Sequence, residues 1–267
     1  MTPDVGPIQL TPWDLTLAAL LLIAPAAISL GLKLGLEKRL GLAGLRTVLQ
    51  LAFIGLVLEW VFALDRWYYV IPVLLVMLTA AAVAAVRRSE RRFDGAYVAA
   101  FGALVLATGT VTFASTELII GVESWYEPQY VIPLLGMLLG NGLTGISLAM
   151  DRLLNDLVER RDAVEARLAL GTTLWAAVRP WVAAAVRTGL IPVINAMMVV
   201  GLVSLPGMMT GQILAGADPA DAVAYQILIM FMIAGATAVG TILLCLAAYR
   251  VLADPCERIR WERISEG

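Results

Sequence analysis

The residues of this sequence that could handle a polar solute lie in stretches that water does not reach. Asn141 and Thr144 sit inside the apolar run 130–150, Asn195 and Ser204 inside 190–208, and Glu117 near the end of 95–120. Met208, Met209 and Gln212 follow in GLVSLPGMMTGQILAG, residues 201–216. Polar groups inside hydrocarbon are expensive and turn toward a bundle interior or a water-filled cavity, so these eight residues are candidates for a translocation pathway. The competing reading is helix glue, with buried Asn and Thr bonding across helices beside small residues such as Gly136 and Gly140.

Metal chemistry has few other donors here. The chain contains no histidine, and its two cysteines, Cys245 and Cys256, have no metal-ligand spacing. Met197, Met198, Met208, Met209, Met230 and Met232 crowd the last third. Thioether suits a soft ion such as Cu(I), whereas harder ions prefer oxygen, supplied in these regions by Glu117, Glu59 and the amides. Methionine also fills irregular apolar cores. No cluster has ligand spacing, so any metal ligands are unknown from the residues alone.

These candidates need a frame to hold them. Of 267 residues 60% are hydrophobic and 15% charged, and the mean hydropathy is +0.85. A soluble domain carries roughly 25% charge, so the composition predicts an all-α polytopic membrane protein. Seven runs are long enough to span: 12–32, 41–64, 69–86, 95–120, 130–150, 190–208 and 220–250. Thr11-Pro12-Trp13-Asp14 and Asp218-Pro219-Ala220-Asp221 both place a cap, a proline and an acid at a helix start. Pro25 is expected to kink the first span.

Charge sets the orientation. Eighteen of the nineteen lysines and arginines, all but Arg66, fall on one side of the seven spans. The positive-inside rule makes that side cytoplasmic, with the N-terminus outside and the C-terminus inside. Outside lie Glu59, Asp65, Glu117, Glu123, Glu127, Asp218 and Asp221. They form an acidic face that could attract cations or could simply be solvated.

Between spans 5 and 6, DRLLNDLVERRDAVEAR (151–167) carries nine charges in seventeen residues. Burying them in the bilayer would cost more than roughly 20 kcal/mol, so the segment lies in water. Leu153, Leu157, Val164 and Leu168 form one stripe, and Asp156/Arg160 and Arg161/Glu165 are i,i+4 pairs. Span 5 is therefore expected to continue as a protruding helix. Gly171 should break it and Pro180 should end a short second helix, with re-entry at Gly189-Leu190-Ile191-Pro192. After span 6, Pro206 and Gly207 are expected to end the helix, and 208–215 to dip back over the outer mouth.

EARLALG (165–171) resembles the start of the EAA signature of ABC-transporter permeases, whose loop forms a coupling helix on the ATPase subunit. The downstream part departs from the signature, with WVAA at 181–184 and a related GLIP later, at 189–192. LRTVLQL (45–51), GNGLTGISLAMDRL (140–153), RTGLIPVINAMMVVGLVSLPGMMTGQILAG (187–216) and AVAYQILIMF (222–231) resemble the Fet-type permease family. That family is associated with bacterial iron export, and plant aluminium-tolerance half-transporter subunits are similar to it. The resemblance covers nearly the whole chain. It implies one transmembrane permease domain, 1–267, in the bacterial inner membrane, exporting iron or another metal ion or metal-linked solute. It also implies a homodimer and a separate ATPase that binds ATP and Mg, with no cofactor in this chain and no nucleic acid.

The residues agree on the ATPase. A P-loop needs Gly-x-x-x-x-Gly-Lys-Ser/Thr, and the only lysines, Lys33 and Lys38, follow no glycine. Arg161, Glu165, Arg167 and Gly171 are then expected at the ATPase contact in the coupling region 151–188. A secondary transporter or channel is the alternative, although no deep charge pair suggests an ion relay. A non-transporting membrane scaffold is a third reading.

Overall fold

The computed structural model describes residues 11–64, 66–115 and 126–266. Its helices are α1 (Pro12–Leu20), α2 (Ile23–Gly31), α3 (Glu37–Leu64), α4 (Trp67–Arg87), α5 (Ala96–Leu104), α6 (Thr110–Ala114), α7 (Pro128–Glu159), α8 (Arg161–Ala169), α9 (Leu174–Val199), α10 (Gly207–Leu214) and α11 (Pro219–Leu252). A π-helical turn, Val105–Gly109, joins α5 to α6. Among the described residues seven helical stretches are long and apolar enough to cross a membrane, matching the seven expected spans.

The expected caps form. Thr11 Oγ1 accepts from the Asp14 amide, and Asp14 Oδ2 accepts from the Thr11 amide at 2.8 Å, closing a capping box on α1. Asp218 Oδ1 takes the Ala220 amide at 2.8 Å on α11. The first span breaks at Leu21–Leu22, the first of these four residues before Pro25. That is where a proline leaves a carbonyl without its partner.

Packing concentrates on α7, which lies against α9, α11 and α4. Leu153, Leu174, Val178 and Leu252 belong to one core near the basic end, while Leu138, Val193 and Ile229 belong to another toward the opposite end. The pairing of an early α7 residue with a late α9 residue makes the two helices antiparallel. They meet at Gly145 and Gly189. A Cβ on Gly189 would stand 2.6 Å from the Gly145 carbonyl oxygen and 2.9 Å from Thr241 Cγ2 of α11. Only glycine lets three helices approach this closely. By contrast α3 is almost bare: apart from Val61, none of its described side chains is buried.

Three expectations need correction. Pro180 does not end a short helix, because α9 runs unbroken from Leu174 to Val199 through Pro180 and Pro192. Proline removes one hydrogen bond there, but Leu174, Ala177, Val178, Val182 and Ala185 stay buried along one face and carry the helix past it. Pro206 does not end span 6 either. The helix stops at Val199 and turns through Gly201, at φ 83°, whose amide donates to the Ser204 carbonyl at 2.9 Å. Pro206, in extended backbone, instead precedes α10. Finally, Asp156 pairs with Arg152 at 2.8 Å and not with Arg160, because the helix breaks at Arg160 and swings that side chain over the Trp181 ring.

Candidate functional site

The basic end is a small built platform. After α4 the chain forms a strand, β1 (Arg91–Phe93), which pairs antiparallel with β2 (Ile264–Glu266) at the C-terminus. Asp151 of α7 accepts from Ser89 Oγ at 3.2 Å and from the Glu90 amide at 2.9 Å, and Arg91 donates to Asn155 at 2.9 Å. The loop after α4, the end of α7 and the C-terminus are thereby tied together.

On this platform sits α8, a short amphipathic helix whose Val164 is buried. Arg161 donates to Glu165 at 2.7 Å and lies over the Trp261 ring at 5.1 Å. The Arg161 guanidinium holds the Glu165 carboxyl below its ordinary value, with a smaller contribution from the Trp261 N–H. Arg167 donates to the Ala177 carbonyl at 3.3 Å and lies 5.8 Å over Trp181. Three of the four residues expected at a partner contact are thus engaged with the protein itself, and the fourth, Gly171, supplies the left-handed turn (φ 82°) into α9. Besides the charged Arg161, Asp162 and Glu165, α8 presents outward Ala163, Ala166, Ala169 and, beside Gly171, Leu170 at 85% exposure. Sequence reading missed Leu170 because an apolar residue in EARLALG passes for part of the buried stripe.

The pathway candidates divide by face. Asn141 is exposed and its amide donates only to the Met137 carbonyl of its own helix, at 2.9 Å. Thr144, partly exposed, donates to the Gly140 carbonyl at 3.0 Å. With Met137 and Leu148 they form an i, i+4, i+7, i+11 stripe of α7 that the other helices leave partly open. Asn195 is exposed on α9. From the Gly145–Gly189 crossing, Asn141 lies four residues back and Asn195 six residues on, in helices running opposite ways. At about 1.5 Å per residue the two amides sit at nearly the same depth, roughly 6 and 9 Å from the crossing. Helix glue within one chain is therefore not what these residues do.

Ser204 is exposed in the turn before α10. Met208 and Met209, adjacent in sequence and about 100° apart around α10, line different cavities. Met208 and Gln212 line a pocket of about 310 Å³ with Gln129, Tyr130 and Tyr225, between α7, α10 and α11. Met209 lines another, of about 520 Å³, with Met197, Gln226 and Met230, between α9, α10 and α11. The segment expected to fold back over the end of the bundle is thus a short helix that partitions two cavities. Glu117 lies outside the described residues. Among the described residues no group of three or more carboxylates and thiols could hold a metal ion.

The profile of an uncharacterised protein family, UPF0014, matches residues 12–253. The chain belongs to this family. Like the UPF0014 chains it resembles, it is a multi-pass membrane protein. It is 45% identical to the UPF0014 membrane protein slr1647 of Synechocystis over 81% of this chain and 84% of that one. It is 33% identical to the probable iron export permease protein FetB of Escherichia coli, over 91% and 92%. The rice UPF0014 membrane protein STAR2 is 37% identical, over 85% and 81%. No solved structure is significantly similar to it. The UPF0014 match spans all eight pathway candidates and the whole of α8, so both regions lie within the part of the chain that defines the family.

Proposed function

We propose that this chain is the permease subunit of an ABC-type exporter of iron or a related metal ion or metal-linked solute. Two copies in the bacterial inner membrane would form the pathway, and a separate ATPase would dock on α8 and drive it. The metal is suggested by the likeness to FetB, a probable iron export permease. The observation that carries the reading is the outward display of polar groups at membrane depth. Gln50 on α3, Asn141 and Thr144 on α7 and Asn195 on α9 all face away from the monomer's core. Amides do not face lipid when a protein surface or a wet cavity is available. A second copy seated against these faces encloses them and turns bare helices into the walls of a passage.

A test follows for the pathway. Replacing Asn141 and Asn195 together by leucine should leave the folded yield unchanged, because neither amide bonds another helix. Efflux of Fe(II) from proteoliposomes with the partner ATPase should drop at least tenfold. Undiminished efflux would remove both residues from the passage. A secondary transporter or channel predicts instead that metal moves without nucleotide.

A further inference from the structure

Among the described residues Glu257 is one of two non-glycine residues with positive φ, at 57°. Glycine or asparagine occupies that region at lower cost, so a glutamate there points to a use for its side chain. The turn around it is over-determined. Its amide donates to the Asp254 carbonyl at 3.1 Å, and the Asp254 amide to the Arg258 carbonyl at 2.8 Å. Asp254 is held by Arg260 through Nε at 2.9 Å and Nη2 at 2.6 Å. The carboxylate of Glu257 is thereby presented to the Leu174 amide, the first of α9, and accepts its hydrogen bond. The first amides of a helix lack internal partners and favour an anion. Thr173 Oγ1 takes the Ala176 amide beside it, at 3.3 Å.

Leu174 is three residues past Gly171, where α8 turns into α9, and Glu257 is five residues past the end of α11. Trp261, on the same C-terminal segment, touches both Arg161 and Glu165 of α8. One joint therefore fastens the exit of α8, the start of α9 and the end of α11. We infer that Glu257 is a positioning residue that locks α9 to the C-terminal segment, so that displacement of α8 moves α9 and α11 as one body. This rests on the reading of α8 as the docking point of an ATPase.

Glu257→Gln and Glu257→Gly both remove the charge, and the glycine also relieves the backbone. In proteoliposomes with the partner ATPase, both variants should retain the ATPase and hydrolyse ATP within twofold of wild type. Fe(II) moved per ATP should fall at least tenfold. Hydrogen–deuterium exchange at residues 174–177 should accelerate in Glu257→Gln alone in detergent. A wild-type ratio of transport to hydrolysis in Glu257→Gly, or unchanged exchange in Glu257→Gln, overturns the clamp. A wild-type chain that binds no ATPase overturns the docking reading and the clamp with it.

Discussion

Gly189→Val is expected to abolish the folded protein, and Gly189→Ala to destabilise it measurably. The added Cβ would lie 2.6 Å from the Gly145 carbonyl oxygen, 2.9 Å from Thr241 Cγ2 and 3.1 Å from Ala149 Cβ. The first of these is backbone and has no rotamer to yield. Alanine gains about 1 kcal/mol over glycine in intrinsic helix preference. Forcing apart a well-packed contact typically loses about 1–3 kcal/mol, so the clash wins, and a branched side chain makes it worse. Gly235 is the control. It sits in α11, and a Cβ added there would meet nothing within 4 Å, so Gly235→Ala should be neutral or slightly stabilising. Thermal unfolding in detergent, followed by tryptophan fluorescence, separates the two sites. Equal midpoints for the alanine variants at 189 and 235 would mean that the three-helix crossing is not as close as described.

Under the proposed docking of a separate ATPase on α8, Leu170→Asp is expected to release that ATPase while leaving the membrane bundle intact. Leu170 touches little of its own chain, and its exposure at a water-facing tip has no folding purpose. An apolar anchor at the centre of an interface commonly contributes about 2 kcal/mol or more, so roughly 30-fold in affinity should be lost. The alanines on the same face, Ala163, Ala166 and Ala169, would let a partner's groove close on α8. Glu165→Arg should act differently. It breaks the Arg161 and Trp261 contacts and loosens α8 on its own platform. Gly171→Pro removes a positive φ that proline cannot adopt, and with it the turn into α9. Affinity measured by co-purification or surface binding distinguishes these: a large loss for Leu170→Asp with unchanged thermal midpoint, and a lowered midpoint for the other two. Full binding by Leu170→Asp would move the docking site off this tip.

Much of this was legible in the residues. The seven spans were, because hydrocarbon tolerates little but long apolar helices and the chain marks its helix starts with Thr11 and Asp218. The helical course of 151–159 beyond the apolar run was, because Leu153 and Leu157 keep a helical stripe through the charged residues. The course of α9 was not. Pro180 reads locally as a breaker, and only the buried face from Leu174 to Ala185 shows why the helix continues. The break at Arg160 was hidden for a related reason: the stripe Leu153, Leu157, Val164 fits one straight helix, yet the same burial is reached by two. That Met208 and Met209 line different cavities agrees with the helical period once α10 is known to be a helix, which the four glycines and one proline between 201 and 216 concealed. Glu257 was invisible, since its partner Leu174 lies 83 residues away and its positive φ has no signature in sequence.

The most direct measurement records Fe(II) efflux and ATP hydrolysis together, in proteoliposomes holding this chain and a stand-alone ATPase from the same genome. The expected result is that hydrolysis is altered by the chain, that efflux requires ATP, and that Leu170→Asp abolishes both effects at once. Efflux that proceeds without nucleotide, or an ATPase indifferent to the chain, would contradict it.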